Sequence, residues 1–341
     1  MTARTPRPEA DDRHRPRRNT VRTRLTDTLG IEHPVMLAGM GGVSYAALVA
    51  AVSEAGGFGC LGASTMRGDE MVDQMRQVRA LTSKPFGVDL LTAMGGDMAA
   101  QVDQIAEGGA TVFVAGLGVP RDVVDRCHHH GLIVINMCGK VDHARRAVEA
   151  GCDMVVAQGT EAGGHTGQVA TFPLVPQIVD AVGDRVPVVA AGGIFDGRGL
   201  AAALALGADG IWVGTRFIAT PEARAVPGYK DLLVATAEDG TLITRAYTGK
   251  TLRALRNEYN TWWESHTDEL QRFPAQVGRS VADNAWHLGG DENTAVDPTK
   301  EGYPAGQGVG AIDELVPAAE LVRRFVAEAE EALDRLARVR A

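Results

Sequence analysis

Cysteine, positive charge, aromatic side chains and long apolar runs are all scarce in this sequence, and each scarcity removes a class of protein. The four cysteines among 341 residues, Cys60, Cys127, Cys138 and Cys152, form no C-x-x-C pair, which argues against a disulfide framework or a cysteine-clustered metal site. Cys60, Cys138 and Cys152 stand in apolar surroundings, where a free thiol behaves as a small hydrophobe. That usage fits a reducing cytoplasm. Lys and Arg number 34 against 43 Asp and Glu, a formal net charge of −9, so the chain has no broad electrostatic attraction for nucleic acid or an anionic membrane surface. No stretch reaches the roughly 18 consecutive apolar residues of a membrane-spanning helix, because charges, Gly and Pro interrupt every run. Residues 1–24 carry eight Arg but lack the apolar segment of a secretory signal, and read as a disordered basic tail.

Glycine, by contrast, is plentiful at 41 residues while aromatics make up 5%, a balance expected where backbone must approach a ligand closely. From residue 34 to about 220, eight short apolar runs alternate with longer amphipathic or Ala-rich stretches. The runs are Pro34–Ala38, Gly57–Gly62, Phe86–Leu91, Thr111–Ala115, Leu132–Asn136, Met154–Gln158, Val186–Ala191 and Gly210–Gly214. Several are apolar at successive positions, as parallel strands buried on both faces should be. The intervening stretches include Ser44–Ala55, Asp69–Leu81, Arg121–His130, Val141–Ala150 and Gly197–Leu206, and several are closed by Gly. Eight strand–helix alternations point to an α/β fold of the TIM (β/α)8 barrel type spanning residues 25–229. An open doubly wound sheet has the same alternation. Residues 230–310 read as a mainly helical lid or side domain containing Trp262, Trp263 and Trp286, and 311–341 as a closing helix on the barrel.

In a barrel, residues just past the strand C-termini form the active-site mouth. Three sets of loops stand out there. Gly39-Met40-Gly41 follows the first run; it suits a planar ligand lying on the main chain, and also suits a plain tight turn. Ala191-Gly192-Gly193 follows the seventh run and Val213-Gly214-Thr215 the eighth, where barrels commonly hold phosphate through backbone N–H groups. Gln158 to Gly167 follows the sixth run and puts His165 on a glycine-rich loop; its ordinary pKa of about 6.5 suits proton transfer near neutral pH. Cys127-His128-His129-His130 resembles a metal cluster only in composition, since consecutive helical residues point about 100° apart. Thr248-Gly249-Lys250-Thr251 has the ending of a P-loop without its upstream Gly or its strand. Gly306–Gly310 follows no strand and is not a dinucleotide fingerprint, although it can face a ligand.

These motifs together resemble the nitronate monooxygenase family, formerly 2-nitropropane dioxygenases. They are His33-Pro34-Val35-Met36 with Gly39-Met40, Gln158 through Gly167, Ala190 through Gly199, and Leu206 to Asp209 followed by Gly214 to Phe217. The resemblance runs from about Arg24 to Val339 and implies an FMN-dependent barrel enzyme that oxidises alkyl nitronates or nitroalkanes with O2 to a carbonyl compound and nitrite. It implies His165 as the catalytic base, and Gly39, Met40, Gly41, Asp89, Gln158, Gly163, Gly192, Gly193, Trp212, Val213, Gly214 and Thr215 as flavin contacts. At Asp89 the sequence departs from the Asn common in the family, and an ionised carboxylate beside a flavin disfavours its reduced anion unless protonated or paired. The same scaffold is similar to FMN-dependent NAD(P)H:quinone and enoyl-thioester reductases, in which NAD(P)H reduces the flavin. No metal, nucleic-acid or membrane partner is expected; the oligomeric state stays open, a homodimer included.

Overall fold

The computed structural model describes residues 21–67, 69–92, 97–287 and 289–339. The basic tail falls, up to residue 20, outside them. In chain order the strands are β1 Val35–Leu37, β2 Gly59–Gly62, β3 Phe86–Leu91, β4 Val112–Gly116, β5 Ile133–Cys138, β6 Met154–Gln158, β7 Gly164–His165, β8 Val188–Ala191, β9 Gly210–Val213, β10 Thr241–Thr244 and β11 Leu252–Leu255. The helices are α1 Arg24–Leu29, α2 Ala46–Glu54, α3 Glu70–Leu81, α4 Met98–Glu107, α5 Arg121–His129, α6 Val141–Ala150, α7 Thr171–Val182, α8 Gly197–Ala205, α9 Thr215–Ile218, α10 Tyr229–Ala235, α11 Glu258–Glu264, α12 Ala275–Ala282 and α13 Ala318–Val339.

Eight of these strands lie side by side in the order β1-β9-β8-β6-β5-β4-β3-β2, and every pair in the sheet is parallel. The two ends meet at a parallel bridge between Met36 and Phe58. There the Leu37 N–H donates to the Phe58 carbonyl at 2.8 Å and the Phe58 N–H to the Val35 carbonyl at 2.9 Å. The sheet is thus a TIM barrel, as the eight apolar runs predict, and the open-sheet alternative falls.

Successive residues of each strand feed two different cores, which is why the runs are apolar throughout instead of alternating. Met36, Phe58, Cys60, Val112, Val114, Ile135, Val156 and Trp212 pack inside the barrel. Their neighbours Val35, Leu37, Val88, Phe113 and Val134 pack outward beneath the helices. Helix α13 lies along α8 and α2, burying Leu321, Val322, Phe325 and Ala329.

Residues 230–310 hold α10, α11 and α12 but also an antiparallel pair, β10 and β11, that the sequence reading did not anticipate. Strand β11 pairs in turn with β7, placing Leu252 opposite His165 and Arg253 opposite Gly164. The side lobe is therefore stitched to the loop after β6. Its own core gathers Tyr247, Leu252, Ala254 and Trp263. The tryptophans divide: Trp263 is buried in that core, Trp262 is exposed against His266, and Trp286 stacks on Tyr247.

Candidate active site

The strand C-termini and the side lobe enclose a cavity of about 370 Å³, within the ordinary range for a small-molecule site. Every residue singled out from the sequence lines it: His165, Gly39, Met40, Gly41, Asp89, Gln158, Gly163, Gly192, Gly193, Trp212, Val213, Gly214 and Thr215. The lobe adds Thr248, Phe273, Trp286, His287 and Glu301, and the loop after it Gly306 and Gly308.

The floor is built by close backbone approach. A Cβ on Gly39 would stand 2.2 Å from Asp89 Cβ, so only glycine lets the first loop cross the end of β3. On the other side Gly192 and Gly193 take left-handed φ values of 102° and 72°, which costs a side-chain-bearing residue about 1 kcal/mol or more. This turn and the start of α9 leave the N–H groups of Gly192, Gly193, Gly214 and Thr215 without a backbone or side-chain acceptor among the described residues. The Thr215 hydroxyl accepts from Gly306 N–H at 2.9 Å, which ties the 306–310 loop over the same corner. Several unpaired N–H groups facing one cavity corner suit an anion such as phosphate.

His165 sits on β7, held from three directions. Its carbonyl accepts from Gln158 Nε2 at 2.7 Å, its Nε2 lies 3.0 Å from Thr248 Oγ1, and Phe273 meets the ring edge-on with centroids 6.3 Å apart. Burial, with a smaller contribution from the Lys250 charge, lowers its pKa to about 4. The neutral ring expected from the sequence is therefore found, but as a weaker base than an ordinary His. The Thr248 hydroxyl in turn donates to the Lys250 carbonyl at 3.3 Å. The stretch that ends like a P-loop is thus the seat of the imidazole's partner. Nothing in the sequence pairs Thr248 with His165, because only the β7–β11 pairing joins them.

Asp89 lies within β3, two residues before its C-terminus, with its residue surface 9% exposed. Burial alone raises its pKa to about 8, with no hydrogen bond and no charge from the described residues acting on the carboxyl group. A second titratable pair sits on the lobe side, where His287 Nδ1 meets Glu301 Oε2 and His287 Nε2 lies 3.1 Å from Asn284 Oδ1. Burial pushes Glu301 up, opposed by the hydrogen bond from His287. This dyad was not foreseen. The three consecutive histidines lie elsewhere and diverge: His128 pairs with Asp153 and His130 with Asp103.

A glycine-lined cavity at the strand C-termini of a parallel barrel, with a neutral imidazole and a corner of unpaired backbone N–H groups, defines a small-molecule enzyme of the barrel class. A match to the nitronate monooxygenase family spans residues 22–98 and 91–328. The chain belongs to that family and is an oxidoreductase. It is 43% identical over 239 residues, 70% of this chain and 67% of the relative, to the (3aS,4S,5R,7aS)-5-hydroxy-7a-methyl-1-oxo-octahydro-1H-indene-4-carboxyl-CoA dehydrogenase of Mycobacterium tuberculosis. Among solved structures it resembles FabK of Thermotoga maritima, with a TM-score of 0.83 and 35% identity over 93% of this chain and 99% of that one. It also resembles a nitroalkane oxidase of Streptomyces ansochromogenes, with a TM-score of 0.78 and 31% identity over 92% of this chain and 99% of that one. Among the described residues no helix is long and apolar enough to cross a membrane.

Proposed function

We propose that this chain binds FMN and oxidises alkyl nitronates and nitroalkanes at the expense of O2, giving a carbonyl compound and nitrite. The residues fit the cofactor. The unpaired N–H groups of Gly192, Gly193, Gly214 and Thr215 would hold its phosphate, and the backbone at Gly39–Gly41 with Gly163, Trp212 and Val213 would flank its ring. Bound there, FMN would supply the redox couple between the organic substrate and O2.

The observation that carries the reading is the state of His165. With the Thr248 hydroxyl donating to the Lys250 carbonyl, as its 3.3 Å contact allows, its oxygen would accept from His165 Nε2–H, 3.0 Å away. That tautomer would leave the Nδ1 lone pair free to take a proton from a carbon acid, since the contact to Thr248 engages Nε2 alone. Gln158 fixes the backbone of the residue and Phe273 the plane of the ring. A carbon next to a nitro group is far more acidic than an ordinary C–H, which makes it a substrate a weak neutral base can address.

A second reading, an FMN-dependent NAD(P)H:quinone or enoyl-thioester reductase, is favoured in its thioester form by the 43% identity to a carboxyl-CoA dehydrogenase. A thioester also acidifies its α-carbon, so the same base would serve. Anaerobic absorbance spectroscopy separates the two. Bleaching of the bound flavin by ethylnitronate without NAD(P)H is expected; bleaching by NADH or NADPH alone would move the chain to the reductases, and colourless protein that takes up no added FMN would remove both.

A further inference from the structure

Of the two acidic residues among those described that line the cavity, Glu301 is paired with His287, whereas no charge acts on Asp89. It sits in β3 between Gly62 of β2 and Val114 of β4, and its Cβ lies where a Gly39 side chain would stand. Its carboxyl group lines the cavity floor. Strand β4 presents Phe113, Val114 and Ala115 nearby, and β2 the Cys60 thiol, whose own pKa burial pushes well above the ordinary value. The first loop, Gly39 to Gly42, carries no charge. His165, on the lobe side of the same cavity, is held neutral. No cation among the described residues acts on the carboxyl group.

We propose that Asp89 stands in the cavity as a neutral carboxylic acid and donates a hydrogen bond to the ring of the bound flavin, doing with O–H what a side-chain amide would do with N–H. An ionised carboxylate here would meet hydrocarbon and a thiol, with no cation or hydrogen bond from the described residues to satisfy it. A protonated one is nearly isosteric with Asn and offers one donor. The inference rests on the FMN reading for its acceptor, while the protonation state is a property of the chain alone.

Two measurements test it. Carboxyl 13C NMR of aspartate-labelled protein should show one resonance, absent from Asp89→Asn, that titrates near 8; a resonance that ionises near pH 4 overturns the proposal, with or without flavin. FMN affinity, measured by fluorescence quenching, should fall about tenfold between pH 7 and pH 9 for the parent protein, since deprotonation removes the donor. Asp89→Asn should show no such fall. Equal falls in both proteins, or none in either, overturn the donation to flavin. Should the variant fail to fold, the parent's resonance is assigned by its perturbation on adding FMN, and its titration still decides. Protein that binds no FMN at any pH refutes the cofactor reading, and the NMR titration then judges Asp89 by itself.

Discussion

At the scale of single residues the two groups that matter most are shifted in opposite directions by the same cause. Desolvation disfavours the charged form, so it lowers His165 to about 4 and raises Asp89 to about 8. Between those values both are uncharged. For kcat/KM on a neutral nitroalkane we expect a bell-shaped profile, its acid limb from His165 and its alkaline limb from Asp89; an acid limb near 6.5 would mean that the imidazole is more solvated than the structure has it. His165→Asn should slow neutral nitroalkanes by about 10²–10⁴-fold, the usual worth of a general base, and preformed nitronates far less, as competition assays would show. Thr248→Val removes the tautomer-setting acceptor and should cost about tenfold on the neutral substrate, the equivalent of one hydrogen bond, with Thr248→Ser restoring it. His165 was legible in the sequence because a His on a glycine-rich loop after a strand has few structural reasons to be there. Thr248 was not, because its role depends on a partner 83 positions away.

At the scale of elements, the eight barrel strands were legible because each is buried on both faces and leaves an unbroken apolar run. The two-residue β7 leaves no such trace, and β10 has only Thr241 and Thr244 buried, so the sheet that carries His165 stayed hidden within a segment read as helical. One side chain ties that sheet to the loop after β6. Arg253, 6% exposed, donates from Nε to the Thr160 carbonyl at 3.0 Å and from Nη1 to Thr241 Oγ1 at 3.0 Å. Arg253→Met should keep the packing of the stem but forfeit both bonds, lowering unfolding free energy by about 1–3 kcal/mol and loosening His165; denaturant titration and proteolysis between 230 and 260 would register it, and unchanged resistance would show that the lobe is held by its core alone. At the opposite corner Gly193→Asp places a side chain at φ 72° and a negative charge where phosphate is expected to sit. Flavin content of the purified variant should fall to a trace, and full retention would place the phosphate elsewhere.

At the scale of the whole molecule, the same pair makes stability depend on pH in a way that neither residue shows alone. The unfolded chain returns His165 to about 6.5 and Asp89 to about 3.9. The His165 pKa is lower in the folded state, so its contribution is fully present above pH 6.5 and is lost as pH falls from there through 4. The Asp89 pKa is higher in the folded state, so its contribution is fully present only at low pH and is lost as pH rises from about 3.9 through 8. Each slope is at most about 1.4 kcal/mol per pH unit. From about pH 4 to 6.5 the two oppose each other and nearly cancel, whereas from 6.5 to 8 Asp89 acts alone and stability declines. Urea unfolding at stepped pH, taken as the difference between parent and variant, isolates each contribution from the rest of the chain. Asp89→Asn should gain on the parent steadily from about pH 4 to 8, and His165→Asn should gain on it as pH falls below 6.5. A flat difference for Asp89→Asn would mean that the carboxyl is ionised in the native protein over this range, and that the barrel mouth carries a negative charge during catalysis.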